Sequence, residues 1–343
     1  MIIRSKAPLR LGMAGGGTDV TPYSSLYGGF ILNATIDLYA YCIIEEKKNN
    51  EIQFISFDQN KKLRYPSKKS LPITGELDIH KAVYNRIIKE YGFKNSLSFK
   101  MTTFSDSPPG SGLGSSSALV VAIVKAFSEW LSLPLGEYEI AKLSYEIERR
   151  DLNFTGGKQD QYSATFGGFN FMEFHKDDRV IINPLSIKRW IVDELESSIV
   201  LFYTGVSRSS ERIIKEQIAN VNRKSEKSLN AMHRLKQDAV EMKDSLLKGD
   251  IKEFSNILGH SWEYKKQMAK SITNTRINEI YESAIKSGAY SGKVSGAGGG
   301  GFMFFVVDPS RKMVLVNKLN KFKGYVTKFH FSEGGCHCWK IFE

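Results

Sequence analysis

The segment PPGSGLGSSSA, Pro108 to Ala118, carries the plainest chemical signal in the chain. Three glycines and the serine run Ser115 to Ser117 lead straight into an apolar stretch, ALVVAIVKAFSEWL. Gly110, Gly112 and Gly114 permit close backbone approach, and the free N–H groups and dipole at the start of a following helix attract phosphate oxygens. The pattern reads as an anion cradle. It is not the Walker loop, because no Gly-Lys-Ser/Thr follows the last glycine, so positive charge must arrive from elsewhere. A Gly/Ser loop that merely caps a helix would share this composition. Two further glycine runs, APLRLGMAGGGTD (Ala7 to Asp19) and KVSGAGGGGFMFF (Lys293 to Phe305), flank it in sequence.

The elements that must position these segments follow from periodicity. Strand-like runs at Tyr41 to Glu46, Glu51 to Phe57 and Leu97 to Thr103 alternate with helix-periodic segments, an α+β pattern. Ile79, Val83, Ile87 and Tyr91 share one helix face, with Asp78 placed as N-cap and Gly92 just past the C-terminus. The helix that opens inside the serine run and continues to Leu131 is apolar nearly all round, so it is buried and its N-terminus points at something interior. Further strands are expected at Gly167 to Phe174, Ser198 to Gly205, Phe302 to Asp308, Tyr325 to Phe331 and His337 to Phe342. A helix-rich region runs to about Ser287, and a basic helix lies near Met313 to Phe322.

At 343 residues the chain exceeds the roughly 250 to 300 at which a single core stops growing, which predicts two domains, 1–185 and 186–343. The net charge of +11, from 48 basic and 37 acidic residues, is dispersed, which argues against a nucleic-acid groove and suits attraction of small anions. No run approaches the roughly 18 apolar residues of a membrane span, and MIIRSKAPLR lacks the apolar core of a signal peptide. A cytoplasmic protein without membrane partners is expected. Cys336 and Cys338 flank His337 in a strand; free structural thiols fit them better than a zinc site, which needs more ligands.

Together and in this order, the three glycine segments resemble the motifs of the GHMP kinases, the superfamily of galactokinase, homoserine kinase, mevalonate kinase and phosphomevalonate kinase. The resemblance covers the whole chain. AGGGTDVTPY, GGKQDQYSATFGG and HSWEYKKQMA are most similar to the bacterial D-glycero-D-manno-heptose 7-phosphate kinases and their sugar-1-kinase relatives. It implies the two-domain GHMP kinase fold, with a ribosomal-protein-S5-like N-terminal α/β domain and a ferredoxin-like C-terminal α+β domain. It implies ATP and Mg²⁺ as cofactors, a sugar phosphate as small-molecule partner, and leaves room for a homodimer.

By position, the resemblance implies a nucleotide with a syn-type base held by Pro109, Gly110, Ser111, Gly112, Leu113, Gly114, Ser115, Ser116 and Ser117. Mg²⁺ would be held by Ser116 and Glu148, a set of hard oxygens that suits an ion keeping several waters. Read without the family, Glu148 beside Arg149 and Arg150 looks like a solvated charge cluster. Asp160 in GGKQDQ matches the family's catalytic aspartate and Arg10 in APLR its basic companion. Such a carboxylate accepts or orients the proton of an attacking hydroxyl, while the guanidinium keeps it ionised and offsets phosphoryl charge.

On the acceptor side the resemblance assigns Asp19 to sugar hydroxyls. Gly15, Gly16, Gly17 and Thr18 stand ahead of it where galactokinase-like members carry Glu-His, which enlarges the pocket and puts galactose in doubt. Gly157, Gly298 and Gly299 are expected to line the substrate. A distal phosphate needs cations; Lys158, Arg208 and one of Lys265 and Lys266 are the candidates. A fucose- or galactose-type 1-kinase, or a sugar-sensing regulator without activity, stays open beside the heptose reading.

Overall fold

The computed structural model describes residues 1–93, 96–207 and 210–342. The first sheet is built from β1 (Ile2–Ala14), β2 (Gly29–Glu46), β3 (Glu51–Ser56), β4 (Lys61–Pro66), β5 (Phe99–Ser105), β6 (Phe169–Phe174) and β7 (Val180–Pro184). The second holds β8 (Ile199–Tyr203), β9 (Ala289–Val294), β10 (Phe302–Val307) and β11 (Tyr325–Thr327) in the order β11-β8-β10-β9. The last strand, β12 (His337–Ile341), returns to the first sheet and pairs antiparallel with β1. The first sheet therefore contains both ends of the chain, in the order β12-β1-β2-β5-β3-β4, with β6 and β7 beside the front half of β2.

The helices are α1 (Tyr23–Tyr27), α2 (Asp78–Tyr91), α3 (Ser115–Trp130), α4 (Glu137–Glu146), α5 (Gln159–Phe166) and α6 (Arg189–Ser198). They continue with α7 (Glu211–Asn222), α8 (Glu226–Lys248), α9 (Ile251–Met268), α10 (Thr275–Lys286) and α11 (Lys312–Leu319). The α+β pattern read from the sequence is the one observed. Helix α3 is the centrepiece: Leu119 through Val124, Ala126 and Phe127 are all buried, as an all-round apolar helix requires. It packs on β1 and β2, and its apolar side chains join a core that runs on through Ala239, Met242, Phe254 and Leu258 to Phe302 and Phe304. That shared core fixes α8 and α9 against the first sheet. A second cluster, with Trp262, Phe202 and Phe305, lies between the second sheet and α7 to α11.

Two local expectations needed correction. Asp78 is not an N-cap: the helix begins at Asp78 itself, with Leu77 at φ 48° before it. Its carboxylate instead accepts N–H groups of Thr74 and Gly75 at 3.1 and 2.8 Å, closing the preceding loop, and pairs with Lys81 at 2.7 Å. The strand expected over Tyr325 to Phe331 stops at Thr327, and Phe331 contributes only an isolated bridge to Ile36. Gly92 ends α2 with φ 61°, as a helix-terminating glycine should. The thiols of Cys42, Cys336 and Cys338 are free, and burial pushes those of Cys336 and Cys338 up to about 12, which keeps them protonated.

Strand β1 slips register against β2 between Pro8 and Leu9 and again between Gly12 and Ala14. Arg10 lies between the two irregularities, and such bulges re-aim side chains beside active sites.

Candidate active site

The Gly/Ser loop is clamped from both halves of the fold. The N–H of Arg10 donates to the carbonyl of Leu113 at 3.0 Å, and that of Phe302 donates to the carbonyl of Ser111 at 2.8 Å. Gly112 shows why glycine is needed: its φ is 82°, and a Cβ there would stand 2.5 Å from the carbonyl oxygen of Ser295. Gly114 likewise has φ 78° immediately before α3, and its missing side chain leaves room for the Asp160 carboxyl group, 3.1 Å from an ideal Cβ. The N-terminus of α3 therefore opens onto a cleft of ≈ 380 Å³.

Six of the nine loop residues singled out above face that cleft: Gly110, Gly112, Gly114, Ser115, Ser116 and Ser117. The other three hold the loop in place. The Pro109 carbonyl accepts the hydroxyl of Ser207, the side chain of Leu113 sits in the core, and Ser111 is fully buried.

Glu148 stands opposite the serines. It is 1% exposed, so the reading of IERRD as a solvated cluster is overturned for this residue. A π-helical turn, Ile147–Asp151, closed by Leu152 N–H onto the Ile147 carbonyl at 3.0 Å, turns it inward; such turns recur at functional sites. Its Oε1 accepts the Ser116 hydroxyl at 2.9 Å, and its Oε2 accepts the Gln161 amide, which also donates to Ser117 Oγ at 3.1 Å. Arg149 also enters the cleft and donates Nε–H to the carbonyl of Gly157 at 3.3 Å. Arg150 points outward and pairs with Glu146 at 3.2 Å.

Asp160, in the first turn of α5, receives Arg10 Nε–H at 2.8 Å and lies 2.7 Å from Arg10 Nη2. Arg10 Nη1 donates to the Gly112 carbonyl at 2.6 Å, so one side chain ties the carboxylate to the phosphate-type loop. Asp19 lies close by, nearly buried, with Oδ2 accepting the Gln159 N–H at 2.9 Å. Burial raises its pKa above the usual carboxylate value, the Gln159 N–H opposes that shift, and the charge of Asp160 adds to it.

The glycine-rich turn after β1 divides in two. Gly16, Gly17 and Asp19 line the cleft. Gly15 and Thr18 build the turn: a Cβ at 15 would lie 1.9 Å from the Phe30 carbonyl oxygen, and the Thr18 hydroxyl sits 2.8 and 2.9 Å from the carbonyls of Gly15 and Phe30. Gly157 lines the cleft against Asp19.

Several expected contacts lie elsewhere. Lys158 turns away from the cleft and pairs with Asp178, with its ammonium 5.6 Å from the Tyr145 ring centre. Gly298 and Gly299 abut Ile272, whose carbonyl accepts the Gly299 N–H at 2.8 Å; Gly296 and Ala297 are the residues of that run on the cleft wall. Arg208 falls outside the described residues. Of the two adjacent lysines, Lys266 pairs with Glu263 on the surface at 2.7 Å, whereas Lys265 is buried at the cleft.

Several cleft residues carry no plain signal in the sequence, among them Arg149, Gln159 and Lys293. Arg149 stands beside a surface arginine, Gln159 is an unremarkable polar residue, and Lys293 opens a glycine run. A signal existed for Lys293: it is the single charge in AYSGKV, a strand whose other members are apolar or small. Its ammonium donates to the Met13 carbonyl at 2.9 Å, and that of Lys265 to the Gly296 carbonyl at 2.6 Å. Burial lowers both lysines, Lys265 to about 8 and Lys293 well below its ordinary value.

Comparison with known proteins brings these features under one description. The family profile for the GHMP kinases N terminal domain matches residues 78–168, and that for GHMP kinases C terminal matches residues 242–324. A D-glycero-alpha-D-manno-heptose 7-phosphate kinase of Campylobacter jejuni subsp. jejuni serotype O:2 is 52% identical over 99% of both chains. The crystal structure of a D-glycero-D-manno-heptose 1-phosphate kinase from Bacteroides thetaiotaomicron superposes with a TM-score of 0.86 at 51% identity, covering 99% of this chain and 100% of that one. The galactokinase of Lactococcus lactis, solved with galactose, shares the fold at a TM-score of 0.78 and 16% identity, covering 98% of this chain and 95% of its own.

Proposed function

The chain belongs to the GHMP kinases, and we propose that it transfers the γ-phosphoryl group of ATP to the anomeric hydroxyl of D-glycero-α-D-manno-heptose 7-phosphate, giving the 1,7-bisphosphate. The observation that carries the chemistry is the Arg10–Asp160 pair at 2.7 Å, set against the loop that feeds α3. The choice of sugar is supported by the Campylobacter relative, whose identity of 52% extends over 99% of both chains.

In this reading the backbone N–H groups around Ser115 to Ser117 and the α3 dipole hold the nucleotide phosphates. Ser116 and Glu148 fit Mg²⁺, because a hydroxyl and a carboxylate 2.9 Å apart are hard oxygen donors beside the phosphate loop. When bound, the ion neutralises phosphate charge. Asp160 accepts a hydrogen bond from the anomeric hydroxyl and aims it at the phosphorus. Arg10 holds the Asp160 carboxylate in place and faces the charge that gathers on the transferred group. An anomeric hydroxyl is more acidic than an ordinary alcohol, so orientation supplies much of the effect. Asp19, reached past Gly16 and Gly17, holds sugar hydroxyls. The enzyme works in the cytoplasm as a catalyst on small molecules; among the described residues no helix is long and apolar enough to cross a membrane.

The test is ADP release with ATP and Mg²⁺ across heptose 7-phosphate, heptose 1-phosphate, free heptose, fucose and galactose. Preferred turnover of heptose 7-phosphate, with phosphate added at C1, is expected. Preference for another sugar would change the substrate, and no turnover with any sugar would sink the kinase reading.

A further inference from the structure

We propose that Lys265, reached through the opening left by Gly16, holds the phosphate group of the acceptor, with Lys293 reinforcing the positive field behind it. The inference rests on the acceptor being a sugar phosphate, as proposed above. It starts from a charge imbalance. Four cations line the cleft, and three of them, Arg10, Lys265 and Lys293, lie within electrostatic reach of one another. Arg10 is matched by Asp160. Neither lysine has a carboxylate partner among the described residues; each ammonium is fixed by one backbone carbonyl, that of Gly296 for Lys265 and that of Met13 for Lys293. Both side chains are nearly inaccessible, with residue exposures of 4% and 1%. An ammonium has three donors, and burying it with a single carbonyl and no carboxylate in direct contact is unfavourable unless an anion completes it.

The anion approaches from the acceptor side. An ideal Cβ at Gly16 would stand 3.4 Å from Lys265 Nζ, and apart from the adjoining residues of the chain no other atom lies within 4 Å of it, so a methyl group there would sit against the ammonium. Glycine at this position therefore opens a window from the sugar side of the cleft onto Lys265. The Ser115 to Ser117 loop, where the nucleotide phosphates are placed, is a separate part of the wall and offers its own N–H donors. Asp19 and Asp160 lie within electrostatic reach of Lys265, so a phosphate on Lys265 leaves the far end of the same sugar beside Asp160.

The experiment uses the full chain with Lys265→Met, of similar length but uncharged, and Gly16→Ala, whose backbone is unstrained. Steady-state rates are compared for heptose 7-phosphate and unphosphorylated heptose, with calorimetric binding of heptose 7-phosphate alongside. Losing a charge-assisted contact to phosphate lowers kcat/KM for heptose 7-phosphate roughly 10- to 100-fold. The value for free heptose and the KM for ATP should stay within about threefold, the scatter of a neutral change. Gly16→Ala should move the same way by less. Equal losses with both sugars, a raised KM for ATP, or an unchanged preference would overturn the proposal. Should Lys265→Met not fold, the preference of Gly16→Ala decides in the same terms. A wild-type enzyme that binds heptose 7-phosphate without turning it over defeats the functional reading, while loss of that binding in Lys265→Met still sustains the subsite. A wild type without preference for the phosphorylated sugar defeats the subsite and leaves the kinase standing.

Discussion

Arg10 directs two nitrogens, Nε at 2.8 Å and Nη2 at 2.7 Å, onto the same oxygen of Asp160, Oδ1, which also accepts the Gln159 amide at 3.2 Å. Among the described residues no hydrogen bond reaches Oδ2. One oxygen is thus spent on orientation and the other remains for an acceptor hydroxyl. Asp160→Asn preserves the shape but replaces the anion, so turnover should fall by about 10²- to 10⁴-fold, the usual worth of a positioned proton acceptor. ATP affinity, measured by calorimetry, should change by less than about threefold, because among the described residues no hydrogen bond joins Asp160 to the serines of the loop. Unchanged turnover would remove Asp160 from the reaction.

The Ser116–Glu148 contact at 2.9 Å predicts how the enzyme depends on magnesium. With Glu148→Gln, activity titrated against free Mg²⁺ should require at least about tenfold more ion, since a carboxylate ligand becomes a neutral amide. Ser116→Ala should shift the same curve by less. The KM for the sugar should hold in both. A magnesium curve that does not move in Glu148→Gln would leave Glu148 as a buried structural acid.

Gly157→Ala tests the acceptor wall. Its Cβ would fall 1.9 Å from Asp19 Oδ2, and no positive φ constrains the backbone there. The carboxylate must swing away and lose its 2.9 Å bond from the Gln159 N–H. The expected result is a KM for the sugar raised about tenfold or more with the KM for ATP unchanged, plus destabilisation of about 1–3 kcal/mol in denaturant unfolding. Parallel changes in both KM values would show that the substitution disturbs the whole cleft.

How far the sequence could be read divides along a physical line. Helix α3 and its glycine-serine entry were legible because local composition determines them: an all-apolar helix has one place to go, and its N-terminus follows. Asp160 and Arg10 were legible only through the ordered family motifs, since their 150-residue separation leaves no local trace. Glu148 is likewise legible only through the family motifs: its burial depends on the π turn and on Gln161, both products of tertiary packing, while its neighbours in sequence, Arg149 and Arg150, look like surface. The glycine-rich segment Gly296 to Gly301 does not say from its composition which residues face the cleft; packing against Ile272 turns Gly298 and Gly299 away and leaves Gly296 and Ala297 on the wall. The sequence leaves Lys158, Arg208 and one of Lys265 and Lys266 as candidates for the distal cation, and only the position of α9 against β9 separates buried Lys265 from half-buried Lys266.

The last prediction concerns pH. Burial is the largest influence on Lys265, and the nearby Arg10 cation adds to it; the carboxylates of Asp19 and Asp160 oppose both, and the ammonium ends at about 8 instead of its ordinary 10.5. Lys293, the other cation beside it, is itself lowered by burial and by Lys265. A lysine is a cation only with its proton on, so raising the pH through about 8 discharges Lys265, well below the pH at which an exposed lysine would change. In the free enzyme this removes the charge that meets the acceptor phosphate. The value of kcat/KM for heptose 7-phosphate should therefore decline above about pH 8, approaching tenfold per unit, because it reports groups of the free enzyme. At saturation kcat should hold to higher pH, since the bound phosphate favours the protonated ammonium. Lys265→Met should lack this alkaline limb while remaining active at low efficiency. Profiles of kcat/KM from pH 6 to 10 for both proteins check the assignment, and an identical alkaline decline in Lys265→Met would place the titrating group elsewhere.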